Sequence, residues 1–110
     1  MDCNEYQKEA LKLAKESTRK DRLLEGVMGL TGEAGECVDI VKKHLFQGHD
    51  LDREHLALEL GDVAWYLSEM AHSIGYNFND ILQMNLEKIN KRYPNGFSEK
   101  ASINRHPNDI

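Results

Sequence analysis

Cysteine and proline are scarce in this sequence, and each scarcity excludes something. Cys3 and Cys37 are the only thiols among 110 residues. They have no CxxC spacing and cannot supply the disulfide density of small secreted folds, so both are read as reduced. Pro94 and Pro107 are the only prolines, so nothing of that kind interrupts a helix before position 94. No long hydrophobic run is present either: Val63–Leu67 is the longest, far short of the ~18–20 residues of a membrane span. A basic arm is also missing. Lys and Arg number 14 against 19 Asp and Glu, for a net charge of −5, which gives no electrostatic footprint for nucleic acid or an anionic membrane. The first residues have neither the basic nor the apolar region of a secretory signal. A soluble, cytoplasmic protein with neither a nucleic-acid nor a membrane partner is expected.

What is present is helical periodicity. Tyr6, Ala10, Leu13, Ala14 and Ser17 recur at spacings of three and four behind Asn4, a candidate N-cap. A second helix starts at Asp21 and runs through Leu24, Val27, Leu30, Ala34, Val38, Val41 and Leu45 to Phe46, with glycines at 26, 29, 32 and 35 that permit a bend or a close helix contact. After the turn Gln47–Asp50, with Asp50 or Asp52 as cap, Leu56, Leu60, Val63, Leu67, Met70 and Ile74 define a third helix that stops at Gly75. A fourth opens at Asn77 or Asn79 and ends at Arg92, before Tyr93-Pro94-Asn95-Gly96. Strand alternation is absent. The expected fold is all-α and four-helix-bundle-like, one domain over residues 1–97 with a loosely held polar tail at 98–110. Its core is thin for this size, which favours assembly with other copies.

Two segments carry acids in matching contexts: Glu33-Ala34-Gly35-Glu36 and Glu59-Leu60-Gly61-Asp62. With 19 acids in 110 positions, about three i, i+3 acid pairs arise by chance, so the repeated context says more than either pair. At ~100° per residue, with Glu33 at 0°, the apolar stripe of the second helix spans ~40–140° and Glu36 lies near ~300°. With Glu59 at 0°, the stripe of the third spans ~20–100° and Asp62 again lies near ~300°. In an antiparallel pair the four carboxylates can converge on one shoulder of the buried face. Convergent carboxylates repel, and a divalent cation removes the conflict. Oxygen-only ligands suit Mg²⁺, with Mn²⁺ as a substitute, and Mg²⁺ recruits substrate phosphates. Solvated helix faces paired with Lys42, Lys43 or Arg53 account for the same pattern. Asn85, Lys88 and Arg92 share one side of the fourth helix and can hold a polyphosphate, with Lys42 and Lys43 adding charge beyond Glu36.

Three blocks, Gly29-Leu30-Thr31-Gly32-Glu33-Ala34-Gly35-Glu36, Glu59-Leu60-Gly61-Asp62-Val63-Ala64-Trp65-Tyr66 and Asn85 to Pro94, together resemble the MazG-like nucleoside triphosphate pyrophosphohydrolases. The similarity runs from about Tyr6 to Phe97. It implies an all-α, Mg²⁺-dependent enzyme that cleaves the α–β bond of nucleotides to a monophosphate and pyrophosphate, with a house-cleaning role in the nucleotide pool. The family's E-E-x-x-E and E-x-x-D pattern carries over as Glu33, Glu36, Glu59 and Asp62 for metal binding. Gly32 stands where the first acid would be, which leaves Glu33 or Glu36 to activate water. By the same resemblance, Asn85, Lys88 and Arg92 match a region that contacts phosphate or sugar.

Tyr66, near ~340° on the third helix and so close to the acids, borders a base or ribose, or else packs in the core or an interface. Trp65, near ~240° and almost opposite the apolar stripe, suits an intersubunit contact in a homodimer or tetramer. A single Glu69-x-x-His72 falls short of the two such pairs a di-iron bundle needs, and the five histidines lack zinc spacing. The alternative to an enzyme is a non-catalytic helical interaction or regulatory module that keeps the scaffold, and Gly32 is its best support.

Overall fold

The computed structural model describes residues 1–110 and is all-helical: α1 Cys3–Leu13, α2 Arg19–Phe46, α3 Arg53–Ser73, α4 Phe78–Arg92 and α5 Glu99–Ile103. The chain forms two compact units, Met1–Phe78 and Asn79–Ile110. No helix is long and apolar enough to cross a membrane.

In the first unit, the helix starts differ from expectation at two points. Asp2, not Asn4, caps α1, and its carboxylate accepts from the Glu5 N–H while Glu5 reaches back to the Asp2 N–H. That reciprocal box satisfies two orphan donors, which Asn4 alone does not. Thr18 caps α2 and accepts from the N–H of Asp21, the residue expected to cap. α1 ends at Leu13, where Ala14 turns extended as its C-cap, and Ser17 falls between the helices. Asp52 caps α3 as anticipated. Gly75, at φ 84°, follows its end, and the Tyr76 and Gly75 N–H groups bond the Ala71 and His72 carbonyls in a Schellman closure.

α2 and α3 pack as an antiparallel hairpin. The contact line is visible at the glycines: a Cβ at Gly26 would lie 2.5 Å from Met70, and one at Gly29 would lie 2.3 Å from the Tyr66 ring. As the number rises on one helix it falls on the other, and Glu33 continues the series opposite Asp62. Around the α2 axis, Gly26, Gly29 and Glu33 lie within ~40° of one direction, at the edge of the apolar stripe. The helices therefore meet along a glycine and tyrosine line beside the apolar stripes. The expected burial of those stripes is corrected accordingly, since Val38 is 64% exposed, Leu45 63% and Leu60 55% in the single chain.

Only Ala10, Ala71 and Phe78 form a buried apolar core. Buried Gln7 does much of the fastening of α1. Its Nε2 donates to the carbonyls of Ser68 at 3.0 Å and Tyr76 at 3.2 Å, and its Oε1 accepts from the Phe78 N–H at 3.0 Å. Tyr6 adds an edge-on contact with Phe78, with ring centroids 6.4 Å apart.

In the second unit, α4 ends at Arg92, Gly96 turns the chain at φ 88°, and Ser98 caps the short α5. Residues 98–110 thus contain a helix that periodicity did not reveal, since five residues make less than two turns. Asp109 accepts two hydrogen bonds from Arg92, both 2.8 Å, which fastens the end of the chain to α4.

Candidate functional site

Glu33 sits on α2 beyond the Gly29 contact, and Glu59 and Asp62 sit one turn apart on α3. One carboxylate oxygen from each of the three lies within 4.8 Å of the others. Glu33 and Glu59 are half-buried and Asp62 is exposed. The electrostatics follow from this crowding. A hydrogen bond with Glu59 pushes the Glu33 carboxyl above its ordinary range, with desolvation and the charges of Glu59, Asp62 and Glu36 acting in the same direction. Without a cation, a proton on Glu33 relieves the repulsion. An oxygen-only set with that need fits a hard divalent ion that would displace the proton.

Glu36 is exposed and stands outside the three-carboxylate cluster. Around the α2 axis it lies ~60° from Glu33 but only ~20° from Gly29, so the angle about α2 alone does not separate it from the cluster. Lys42 and Lys43 both bond Asp39, at 3.3 and 2.8 Å. Those hydrogen bonds lower the Asp39 carboxyl and raise the Lys43 ammonium.

Tyr66 is half-buried with its ring in the space Gly29 leaves open. Burial is the main cause holding its hydroxyl proton, followed by the charges of Glu33, Glu25, Glu69 and Asp62. Tyr66 therefore stands among carboxylates as a neutral donor. Trp65 is already half-buried within its own chain.

Asn85, Lys88 and Arg92 lie on α4 in the second unit, the first two exposed. Arg92 is engaged by Asp109, whose carboxyl is held low by that guanidinium, and Lys88 and Arg105 contribute further positive charge. Lys88, Arg92, Arg105 and Asp109 border a cleft of about 690 Å³ that Asn85 does not line.

Two neighbours of the acids are absent from the sequence-based set. His55 Nε2 lies 3.2 Å from Glu59 Oε1, one turn earlier on α3, and its i, i+4 spacing was a usable signal. Tyr6 has its hydroxyl pKa raised by burial and then by Asp62, and no local spacing connects residues so far apart in the chain.

Comparison with known proteins places the chain in a family. "Gene 37 protein" of Mycobacterium phage L5 is 37% identical over 82 residues, covering 71% of this chain and 72% of that protein. No solved structure matches the chain. The family described as the MazG nucleotide pyrophosphohydrolase domain matches residues 23–97, a span that contains all three clustered carboxylates and α4. The chain belongs to the MazG nucleotide pyrophosphohydrolase family.

Proposed function

We propose that this protein is a divalent-cation-dependent hydrolase that cleaves the α–β bond of nucleoside or deoxynucleoside triphosphates, giving the monophosphate and pyrophosphate. The supporting observation is the approach of Glu33, Glu59 and Asp62 to within 4.8 Å across α2 and α3. Mg²⁺ is the assigned cation, with Mn²⁺ able to replace it. Once bound, it would neutralise phosphate charge and polarise a phosphoryl oxygen. Glu33, Glu59 and Asp62 hold it, and His55 orients Glu59. Glu36, outside the cluster, is assigned the proton of the attacking water. A water oxygen bonds to phosphorus, the bridging P–O bond breaks, and the electron pair leaves with pyrophosphate. Asn85, Lys88 and Arg92 are assigned to phosphate or sugar and Tyr66 to the nucleoside, with Lys42 and Lys43 as secondary charge. Release of pyrophosphate from nucleotides with Mg²⁺, and its loss with a chelator, tests the assignment.

The raised Glu33 pKa gives a prediction with a definite sign. Between its unfolded and folded values this carboxyl binds more protons in the folded state, so cation-free stability falls as pH rises through that window. A cation that displaces the proton reverses the trend. The melting-temperature gain on adding saturating Mg²⁺ should therefore be larger at about pH 8 than at about pH 5. An equal gain at both would show that the cation does not compete for the Glu33 proton.

The exposed apolar stripes of α2 and α3 favour a homodimer or homotetramer, with Trp65 near the interface. Light scattering at micromolar concentration should give at least twice the monomer mass of 12.6 kDa, and a monomer would contradict the assignment. The cytoplasm is the proposed compartment. Gly32, in place of the first family acid, favours the second reading, a non-catalytic module. Absence of heat on titrating Mg²⁺ or Mn²⁺, with or without a non-hydrolysable nucleotide, would select it.

A further inference from the structure

Glu69 is buried to 7% exposure, and its Oε2 has no hydrogen-bond partner. A buried acceptor left unpaired carries its full desolvation cost, larger still when it is charged. The ion pairs of this unit engage Glu9, Glu25, Asp39 and Glu59, and none reaches Glu69. Such a group calls for a role.

Its position supplies one. Asp62, Tyr66 and Glu69 stand at i, i+4 and i+7 on α3, within ~60° of one another and spread over ~10.5 Å of helix. Facing them on α2 are Glu33 and Gly29, which seats the Tyr66 ring. Tyr66 stands between them in the row, its ring seated against Gly29. Along its contact with α2, α3 thus carries a carboxylate of the acidic cluster, then an aromatic ring, then a buried carboxylate with an unpaired oxygen. A nucleotide offers phosphate, sugar and base in the same order.

We propose that Glu69 reads the base, accepting hydrogen bonds from the adjacent N1–H and 2-amino donors of a guanine-type base whose phosphates lie at Glu33, Glu59 and Asp62. The proposal rests on the assignment of this protein as a nucleotide hydrolase. A carboxylate only accepts, and it accepts best from two neighbouring donors. Guanine alone among the common bases has two adjacent donors on its pairing edge. Adenine and cytosine set an acceptor beside their amino group, and thymine flanks its single N–H with carbonyls. Such binding would require rotation about the glutamate's own torsions to uncover the oxygen, and would exchange an unpaired acceptor for a paired one.

Calorimetry with nucleoside monophosphates and Mg²⁺ on the full chain tests this without requiring turnover. dGMP should bind at least about tenfold tighter than dAMP, and dIMP, which lacks the 2-amino group, should fall between them. Glu69→Gln should erase the dGMP preference. Equal binding of the three ligands, or a dGMP preference that survives Glu69→Gln, overturns the proposal. The ligand series decides the matter even if the variant folds poorly. Selective dGMP binding without pyrophosphate release from any triphosphate would retire the hydrolase and keep Glu69. Turnover of all bases alike would do the reverse.

Discussion

Glu59→Gln is expected to lower pyrophosphate release by about a thousandfold while raising the melting temperature of the cation-free protein. The two effects have one origin. Glu59 lies in the cluster of three carboxylates and heads the causes that raise the Glu33 pKa. A neutral amide of the same shape removes a cation ligand and also removes the repulsion. Asp62→Asn should behave alike, with a smaller gain in stability because Asp62 is exposed. Thermal melts with and without Mg²⁺ provide the second readout: both variants should lose most of the cation-dependent stabilisation. Full turnover by both would remove the metal-site assignment, whereas lost activity with lost helicity would indicate a folding role only.

Gly29→Ala should destabilise the hairpin even though alanine is the better helix former. The added methyl would lie 2.3 Å from two Tyr66 ring carbons. Overpacking of this kind costs ~1–3 kcal/mol, and a ring held between two helices has less freedom to yield than the tip of a flexible chain. Helix propensity returns ~1 kcal/mol, so a net loss is expected. Gly32→Ala is the matched control, because nothing lies within 4 Å of the methyl it would add. There the ~1 kcal/mol propensity gain should appear unopposed. Urea unfolding of the pair should shift the midpoints in opposite directions. Movement in the same direction would mean that the contact between Gly29 and Tyr66 does not set how closely the helices approach.

Periodicity located α2, α3 and α4 because each runs several turns and ends at a strong signal: Gly75 after α3 and Tyr93-Pro94 after α4. Caps were less legible. Asp2 and Asn4, or Thr18 and Asp21, lie close together and have similar intrinsic capping strength, so a reciprocal bond such as that of Glu5 decides. The acids were legible as a set, but the membership of Glu36 was not. Spacing gives an angle about one helix, whereas convergence depends on which line of that helix meets its neighbour. That line follows Gly26 and Gly29, where the absence of a side chain allows close approach, and which acids meet beyond it depends on the register of α3 as well as on the angle about α2, so that Glu33 joins Glu59 and Asp62. Gln7 and Glu69 were not identifiable as buried because their burial depends on partners far away in sequence.

The three hydrogen bonds of Gln7 span 61, 69 and 71 residues, whereas α2 and α3 are joined directly through residues 47–52. Closing a long loop is entropically costlier than closing a short one, and distant contacts slow folding. Loop-closure entropy thus favours formation of the hairpin before the amino-terminal helix docks. A nascent chain acquires every residue of that bond set only when Phe78 has left the ribosome.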